Sequence, residues 1–402
     1  MKYVIFLGDG MADWPLKERG NLTPLMIAHK PSIDGLARNG RCGQLITVPE
    51  DLPPGSSVAN MGILGYDQHK CYQGRGVLEA ASMGVEIQPG ELALRCNLIT
   101  LDKGRIKSHS AGHISSAEAR ELITFINEKL GSKDIHFYPG VDYRHLLVIN
   151  GGSNGVRLTP PHDVPGTDAE KVMPRSTNQD GERIGKLLDS LIRRSWKILA
   201  EHPVNRKRME EGKDPANSIW PWSPGYKPEM DTMTGRFGIK GAVISAVDLI
   251  RGLGLYAGMD IIPVDGITGK YDTNYEGKAD ACIEALKRYD FVYLHVEASD
   301  EAGHDADIDL KIKTIEFFDK RLIKRVLDNL HKIDDDVAIA VLPDHPTPLE
   351  LRTHVREPVP FLIHNPKLFP DRVTVYNEES VKAGCYGLLK GDEFIRTFLG
   401  NR

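Results

Sequence analysis

The sequence lacks paired cysteines, long apolar runs, a strong net charge and internal repeats. Its five cysteines are scattered and form no Cys-x-x-Cys pair, which argues against a disulfide framework and against a thiolate metal site. No stretch reaches the roughly 18 apolar residues of a membrane-spanning helix. With 51 basic and 56 acidic residues the net charge is −5, which argues against nucleic-acid binding driven by bulk charge. We therefore expect a globular protein whose partner is neither a membrane nor a nucleic acid.

The first ten residues predict a cytoplasmic protein with a buried first strand. The apolar run Tyr3–Leu7 is far too short for the hydrophobic region of a signal peptide, and glycine and aspartate follow it at once. Its β-branched and aromatic residues instead predict a buried strand. Asp9 then stands at the carboxyl end of that strand, where ligands bind in open α/β sheets, although an aspartate that only caps a turn fits equally well.

Strands and helices alternate along much of the chain, which predicts a doubly wound α/β sheet. The later predicted strands are apolar runs separated by helical patterns: Cys42–Thr47, Gly258–Val264, Phe291–Val296, Asp336–Leu342 and Pro358–His364. The predicted helices between them include Pro31–Asn39, Gly277–Arg288 and the long amphipathic stretch Leu310–Asn329.

The pattern changes between about residues 77 and 212, which predicts an inserted α+β domain. Strand-like runs surround a helix whose start has the Ser115 to Glu118 spacing of a capping box. A loop rich in Pro, Gly, Asp and Thr follows at residues 159–180, and a charged amphipathic helix after it. We expect one domain to comprise residues 1–76 and 213–402, with Trp220–Trp222 marking the return to it, and the other residues 77–212.

The stretch from Pro53 to Asp67 places two adjacent serines, Ser56 and Ser57, at the start of an apolar segment. A hydroxyl there would face free backbone N–H groups and the positive end of a helix dipole, which is a favourable position for phosphate. Taken alone, a serine that caps a helix after a proline turn explains the pattern better. A nucleophilic serine needs an activating group from elsewhere in the chain.

Aspartate and histidine residues cluster around the ends of later predicted strands. Asp300 and His304 stand four residues apart and face the same way on one helical turn, although a polar surface turn is the simpler explanation for this pair alone. Asp344-His345 stands directly after a buried strand, where a pair of ligands explains it better than a solvated loop does. His354 by itself would be an ordinary loop histidine.

Combined with Asp9 and a serine, these residues form a set that suits two metal ions. Carboxylate and imidazole are a usual mixed ligand set for Mn, Zn or Fe, and six Asp and His ligands with one serine are too many for one ion. Two divalent ions about 4 Å apart can clamp the entering and leaving oxygens of phosphoryl transfer. One of them would also activate the serine hydroxyl. The pattern therefore predicts metal-dependent phosphoryl transfer.

With these residues identified, the sequence resembles the cofactor-independent phosphoglycerate mutases of the archaeal type, in the alkaline phosphatase superfamily. The matching segments cover nearly the whole chain in order: Phe6–Met11, Pro54–Asp67, Arg95–Asn97, Tyr143–His145, Pro161–Asp163, Lys240–Ser245, Asp272–Lys278, Asp300–His304, Asp344-His345 and His354–Phe361. The resemblance implies an alkaline-phosphatase-like sheet with an inserted cap domain. It also implies an isomerase that converts 3-phosphoglycerate into 2-phosphoglycerate in glycolysis and gluconeogenesis.

The resemblance further implies a cofactor and a nucleophile. Two divalent ions are expected, Mn²⁺ first, with Zn²⁺, Co²⁺ or Mg²⁺ as alternatives. Ser56 aligns with the family's nucleophile, which becomes phosphoserine during the cycle, whereas Ser57 stands where Asp or Glu is usual. The implied ligands are, for one ion, Asp9, Ser56, Asp344 and His345, and for the other, Asp300, His304 and His354.

The implied substrate contacts come from the inserted domain and from Lys240, which matches the family's lysine near the phosphoryl group. The residues implied in the inserted domain are Arg95, His109, His113, Arg144, His162 and Asp163.

One departure from the family pattern concerns the acceptor of the phosphate. Archaeal members have arginines in the segment in which this chain has His109 and His113, and neutral histidine cannot reproduce the bidentate grip of a guanidinium on phosphate or carboxylate. The alternative function is therefore a phosphotransferase with another acceptor, such as a homoserine kinase. His109 would serve as acid or base to a hydroxyl, or both histidines would only pack beneath the cap. A plain metal-dependent phosphatase and a non-catalytic binding protein are the remaining hypotheses.

Overall fold

The computed structural model describes residues 1–400, which form two compact units. The first unit contains Met1–Tyr72 and the chain from Glu229 onward, and the second contains Gln73–Pro228. The strands are β1 Lys2–Gly8, β2 Arg41–Ile46, β3 Glu91–Asp102, β4 Arg105–Ser108, β5 Ile135–Tyr138, β6 Arg144–Asn150, β7 Val156–Arg157, β8 Arg175–Ser176, β9 Ser218–Gly225, β10 Gly241–Ile244, β11 Asp260–Ile261, β12 Phe291–Val296, β13 Val337–Leu342, β14 Val359–His364 and β15 Gly387–Lys390.

The α-helices are distributed over both units. They are α1 Pro24–Ile27, α2 Pro31–Arg38, α3 Ser56–Ile63, α4 Gln68–Cys71, α5 Arg75–Ser82, α6 Ser116–Leu130, α7 Glu182–Ala200, α8 Pro203–Glu210, α9 Met233–Phe237, α10 Asp248–Tyr256, α11 Tyr275–Leu286, α12 Ala298–His304, α13 Ile308–Phe317, α14 Lys324–Asn329 and α15 Glu393–Phe398. Within the described residues, none of these helices is both long and apolar enough to cross a membrane.

The first unit is built on an eight-stranded sheet in the order β11-β10-β12-β1-β13-β14-β2-β15. All neighbouring pairs are parallel except those that β14 forms with β13 and with β2. The α/β class predicted from the sequence is confirmed, with one antiparallel strand that the alternation of strands and helices did not indicate. Both faces of β1 are buried, and Val4 and Phe6 share a core with residues of α2 and α11. Continuous apolar runs are typical of strands covered on both faces.

The direction of each strand decides what lies at the carboxyl edge of this sheet. Because β10, β12, β1 and β13 run parallel, their carboxyl ends meet at one edge. The strand β2 runs in the same direction, since two antiparallel pairings separate it from β13. The segment that enters β14 starts at this edge for the same reason. The segments that follow β1, β2, β12 and β13 therefore meet the segment that precedes β14.

The second unit is built on a five-stranded antiparallel sheet of β4, β3, β6 and β5, with β9 paired to the other side of β3. Trp220 and Trp222 lie in β9, so the expectation that these residues mark the return to the first domain is wrong. Their strand pairs with β3 from Ile99 to Ala93, which makes it part of the second unit. The predicted capping box is present, since Ser115 and Glu118 exchange hydrogen bonds with each other's backbone at the start of α6.

Two other elements differ from the sequence-based expectation. The long helix expected over Leu310–Asn329 is observed as α13 and α14 joined by a π-helical segment, Phe318–Ile323. The strand expected over Gly258–Val264 is reduced to the two residues of β11.

Candidate active site

The carboxyl edge of the first unit's sheet brings the predicted metal ligands and the predicted nucleophile together. Asp9 directly follows β1, and Asp344 stands two residues after the end of β13. Asp300 lies in the first turn of α12, just after β12. His354 lies in the segment that enters β14, and Ser56 is the first residue of α3, which follows β2. The sequence pattern of acidic residues after apolar strands thus corresponds to a single location.

One group of candidate ligands consists of Asp300, His304 and His354. The Nε2 atoms of the two histidines lie 3.0 Å apart, and they lie 3.2 Å (His304) and 3.4 Å (His354) from the Asp300 carboxylate oxygens. Ligand atoms arranged tetrahedrally around one ion with bonds of about 2.1 Å would be about 3.4 Å apart. His304 Nδ1 lies 2.9 Å from the Arg352 carbonyl and donates to it, which leaves Nε2 as the ring nitrogen that would bind an ion once it has released its own proton.

The charges within this group are strongly coupled. The hydrogen bond with Asp300 raises the pKa of His304 to about 9. Burial alone would raise the pKa of Asp300, but the hydrogen bonds from His304 and His354 hold that pKa well below its usual range. Asp300 is therefore an ionised carboxylate in a buried position, which is the form that binds a cation.

A second group consists of Asp9, Asp300 and His345, whose ligand atoms lie within 4.8 Å of one another. His345 Nε2 lies 3.5 Å from Asp9 Oδ1 and 3.5 Å from Asp344 Oδ2. Burial lowers the pKa of His345, which favours the neutral ring that a metal requires. Asp300 belongs to both groups, so the two candidate sites are adjacent.

Neutral groups orient Asp344 toward the second group. Its Oδ1 accepts hydrogen bonds from the backbone N–H groups of Gly10, at 3.2 Å, and of His345, at 3.0 Å. Its Oδ2 accepts from Asn60 Nδ2 at 2.9 Å, and the Tyr293 hydroxyl donates to the other end of that amide. The same Asn60 amide donates to the Ser56 carbonyl at 2.8 Å. Asn60 therefore ties the carboxylate to the first turn of α3.

The Ser56 hydroxyl faces the second group. Its Oγ lies 3.4 Å from Asp9 Oδ2 and 3.2 Å from His345 Nε2. Since Ser56 opens α3, the free N–H groups of the first helical turn surround its backbone. The two serines differ in exposure, since Ser57 is buried, with 6% of its surface exposed, whereas Ser56 is half-buried. Of the two serines, Ser56 has the hydroxyl that contacts the candidate ligands.

The candidate ligands fit divalent cations because the surrounding groups do not neutralise all of the buried negative charge of their carboxylates. Asp9, Asp300 and Asp344 are all buried. The Oδ1 atom of Asp9 is buried without a hydrogen-bond partner. Burial raises the pKa of Asp9 well above its usual range, and repulsion from Asp344 and Asp300 raises it further. A bound cation would remove both penalties.

His295 and Ser245 support Asp9, and the sequence analysis missed both. His295 Nε2 lies 2.8 Å from Asp9 Oδ2, and His295 Nδ1 lies 3.2 Å from Ser245 Oγ. Burial lowers the pKa of His295 to about 3, so the ring is neutral and donates one hydrogen bond to Asp9. The signal in the sequence was a histidine inside the apolar strand β12, a position that normally packs in the core.

The prediction for Lys240 is wrong, because this residue lies at the opposite edge of the sheet. Lys240 precedes β10, and its neighbour Gly241 pairs with Phe291, the first residue of β12. Six residues of strand, or about 20 Å, separate that level from Asp9. The Lys240 side chain is 63% exposed, and its Nζ lies 3.7 Å from Asp260.

Lys278 is a buried lysine close to the carboxyl edge of the sheet. It is fully buried, and its Nζ donates to the His295 carbonyl at 2.8 Å. Burial lowers the pKa of Lys278 to about 8, against a partial opposing effect of Glu297. Lys278 is part of the segment that resembles the family, but its place within α11 gave no sign that the side chain is buried beneath the sheet edge.

In the second unit, several of the predicted substrate residues lie together with aromatic rings. Arg95 is buried, donates to Glu79 at 3.0 Å, and lies 4.8 Å above the Trp222 ring. The His162 ring lies 5.1 Å from Trp222 and 6.1 Å from His109. Burial lowers the pKa of both histidines, and Arg95 lowers both further.

The remaining predicted residues border this cluster. The Arg144 guanidinium lies 5.4 Å from the Tyr143 ring, which in turn lies 5.7 Å from the His109 ring. His162 lies 3.5 Å from the Asp163 carboxylate. These contacts make a cluster of guanidinium, imidazole and aromatic groups that can offer hydrogen-bond donors and apolar surface to a ligand.

An unusual turn presents His113 beside His109. Ala111, Gly112 and His113 are all left-handed, with φ angles of 49°, 60° and 55°. Ser108 Oγ accepts a hydrogen bond from the Gly112 N–H at 3.0 Å, and the Ala111 carbonyl accepts from Arg208 at 2.7 Å. Left-handed backbone at two non-glycine residues, one on each side of a glycine, is costly and concentrates at functional positions.

Comparison with known proteins identifies the family. A family model described as 2,3-bisphosphoglycerate-independent phosphoglycerate mutase matches residues 37–205. A relative of that name from Methanosarcina mazei is 50% identical over 397 residues, which cover 98% of this chain and 98% of the relative. The chain belongs to this family. Another mutase of the same name, from Methanothrix thermoacetophila, is 45% identical over 399 residues, which cover 99% of this chain and all of the relative.

Two solved structures extend the family comparison to the fold. A protein from Pyrococcus horikoshii is 29% identical with a TM-score of 0.83, and the match covers 100% of this chain and 98% of that protein. The cofactor-independent phosphoglycerate mutase from Thermoplasma acidophilum is 26% identical with a TM-score of 0.68, covering 100% of this chain and 99% of that enzyme. The mutase family and the mixed α/β fold expected from the resemblance are thus confirmed.

Proposed function

We propose that this member of the mutase family interconverts 3-phosphoglycerate and 2-phosphoglycerate through a phosphoserine formed on Ser56. The proposal rests chiefly on the contact of the Ser56 hydroxyl with Asp9 and His345 in a chain whose relatives are named as mutases over their full length. Those names favour the mutase over a homoserine kinase. Because the substrates are intermediates of glycolysis, we also propose that the protein acts in the cytoplasm.

Ser56 is the proposed nucleophile. In the first half-reaction Ser56 loses its hydroxyl proton and its oxygen forms a bond to phosphorus, the bond from phosphorus to the 3-oxygen breaks, and the 3-oxygen takes up a proton. In the second half-reaction the 2-oxygen of the same glycerate loses a proton and forms a bond to phosphorus, the bond from phosphorus to the Ser56 oxygen breaks, and that oxygen regains its proton. The free N–H groups at the start of α3 would hold the oxygens of the phosphoryl group.

Two metal ions are proposed at the carboxyl edge, Mn²⁺ first. Asp9, Ser56, Asp344 and His345 would hold one, and Asp300, His304 and His354 the other; the unpartnered Asp9 oxygen and the converging Nε2 atoms support this division. When bound, the ions would neutralise the charge that develops on the transferred group and favour an ionised serine oxygen. Asn60 and His295 would keep the carboxylates of Asp344 and Asp9 in position.

Lys278 takes the role that the resemblance assigned to Lys240. Its buried ammonium contributes a fixed positive charge next to the strand that carries His295. Since a bound phosphoryl group brings further negative charge to this edge, a nearby cation in a region of low dielectric would stabilise it.

The second unit is the proposed substrate-holding domain. The phosphoglycerate carboxylate and phosphate are both anions, and Arg95 and Arg144 can each grip one with a guanidinium. Holding the glycerate after its phosphate has moved to Ser56 is what separates a mutase from a phosphatase, since glycerate lost to water would end the cycle. His109 and His113 then contact hydroxyl groups, for which a neutral imidazole is a suitable partner.

The test is a coupled assay with 3-phosphoglycerate and Mn²⁺, run beside an assay with a phosphate donor and homoserine. Ser56→Ala is expected to abolish mutase activity, and Ser57→Ala, the matched neighbour, to retain most of it. Product formation only in the homoserine assay would replace the proposed acceptor. Loss of activity in Ser57→Ala with retention in Ser56→Ala would show that the nucleophile is misassigned.

A further inference from the structure

The hydroxyl of Thr347 lies between the two groups of candidate ligands. Thr347 is fully buried, and its Oγ1 lies 2.5 Å from Asp300 Oδ1 and 3.2 Å from His345 Nδ1. Asp300 belongs to both groups, and His345 belongs to the group that faces Ser56. This hydroxyl is therefore in contact with one ligand of each candidate site.

The chemistry of the three side chains fixes the direction of the hydrogen bonds. The Nε2 of His345 faces Ser56 and Asp9, so a metal at that site takes the Nε2 lone pair and leaves the ring proton on Nδ1. That Nδ1–H can only donate to the Thr347 oxygen. The single Thr347 proton is then donated to Asp300, because an ionised carboxylate has no proton to give.

Packing holds Thr347 in this position from several sides. Its backbone N–H donates to the Ala12 carbonyl at 3.2 Å, and its carbonyl accepts from Lys311 Nζ at 2.8 Å. Two glycines leave the space that it needs. A Cβ on Gly10 would lie 2.5 Å from Thr347 Oγ1, and a Cβ on Gly303 would lie 2.7 Å from the Thr347 carbonyl oxygen. These contacts hold the backbone of Thr347, and the absence of a side chain on Gly10 leaves room for its hydroxyl.

We propose that Thr347 is a positioning residue that couples the two metal sites through the chain His345 Nδ1–H to Thr347 O–H to Asp300 Oδ1. The chain fixes the tautomer of His345 and the orientation of Asp300 at the same time, so that each site is organised for its ion by the ligands of the other. This proposal rests on the proposed function, in which two metal ions bind at the carboxyl edge. Groups that orient ligands in this way commonly contribute about 10- to 100-fold to metal affinity.

The test measures Mn²⁺ binding to the full chain after removal of metal, by titration calorimetry and by metal analysis of the loaded protein. Thr347→Val has nearly the same shape without the hydroxyl, and Thr347→Ser keeps the hydroxyl with one methyl group fewer. The matched control is Thr314→Val, since Thr314 is also buried in the first unit but donates to the Lys311 carbonyl within its own helix.

We expect Thr347→Val to bind Mn²⁺ about 10- to 100-fold more weakly at both sites, with Thr347→Ser and Thr314→Val within about threefold of the wild type. Wild-type affinity in Thr347→Val, weakening at one site alone, or equal weakening in Thr347→Ser would each overturn the proposal. If the wild-type chain binds no divalent ion, the hypothesis of two metal sites is itself refuted. This outcome distinguishes failure of the proposed function from failure of the role proposed for Thr347.

A second measurement uses the wild-type protein and therefore does not require any variant to fold. In wild-type protein labelled with ¹⁵N-histidine and loaded with diamagnetic Zn²⁺, nuclear magnetic resonance reports the protonated nitrogen of each ring. We expect His345 to carry its proton on Nδ1, protected from exchange with solvent. A proton on Nε2, or rapid exchange of the Nδ1 proton, would refute the proposed chain.

Discussion

Replacing Lys278 by methionine is expected to make the protein more stable and much less active. The Lys278 ammonium is fully buried, and burial lowers its pKa from 10.5 to about 8. Each tenfold change in a protonation equilibrium corresponds to about 1.4 kcal/mol, so the buried charge costs the folded state about 3 kcal/mol at neutral pH. Methionine has a similar length and no charge, and it removes this cost.

The pH dependence of stability follows with a definite sign. Between pH 8 and pH 10.5 the unfolded chain retains the Lys278 proton while the folded chain has lost it. The unfolded state then binds more protons, so the free energy of unfolding rises with pH, by about 3 kcal/mol in total. Below pH 8 both states are protonated and this contribution is constant. In Lys278→Met the rise is absent.

Urea unfolding followed by circular dichroism between pH 7 and pH 10 measures this difference, and the mutase assay measures activity in the same preparations. Loss of a fixed charge beside the reacting group is expected to lower the turnover rate about 100-fold. Lys240→Met is the matched control, since Lys240 is 63% exposed at the other edge of the sheet, and it should change neither quantity. Inactivation by Lys240→Met with full activity in Lys278→Met would refute our reassignment of the lysine.

Three further predictions concern the metals and the second unit. Mn²⁺ at about 100 times its dissociation constant should stabilise the metal-depleted protein by about 2.7 kcal/mol per site, measured as a raised melting temperature; an unchanged melting temperature would contradict the two sites. Burial lowers the pKa of His145 to about 3, so lowering the pH from 7 to 5 protonates only the unfolded chain and should cost about 2 kcal/mol of stability. The Gly140 N–H donates to His145 Nδ1 at 3.1 Å, and His145→Asn keeps an acceptor for it. In urea unfolding, this variant should lose less stability than the wild type between pH 7 and pH 5. Equal losses of stability in the two proteins would exclude His145 as the source. Arg95→Lys keeps the charge but loses the contacts of the guanidinium with Glu79 and Trp222, and the KM for phosphoglycerate should rise about tenfold in steady-state assays; an unchanged KM would remove Arg95 from substrate binding.

The sequence predicted the positions of those polar residues that stand directly after a buried strand. The apolar runs of β1, β12 and β13 are typical of buried strands. If these strands are parallel, the polar residues that follow them lie at one edge of the sheet. Asp9 and Asp344 were found in this way. The position of these carboxylates at the sheet edge therefore depended only on strand direction and on the length of each apolar run.

The remaining features depended on information that local sequence does not carry. Lys240 stands at the start of a strand rather than at its end, and a motif that resembles a family segment cannot distinguish the two edges. The burial of Lys278 depends on the packing of α11 against β12, and the role of Thr347 on a contact with Asp300, 47 residues away in sequence. Trp222 was assigned to the first unit because the pairing of β9 with β3 spans more than 120 residues.

Buried aspartates at the same sheet edge show how a cation site differs from a structural carboxylate. Asp13 is paired with Lys311 at 2.6 Å, and both side chains are fully buried, so its charge is already neutralised within the protein. The hydrogen-bond donors to Asp9 and Asp344 are instead amide, hydroxyl and neutral imidazole groups. Such donors fix the position of a carboxylate without cancelling its charge. The negative charge kept in this way is available to a divalent ion, and the ion in turn is what allows three carboxylates to remain buried together.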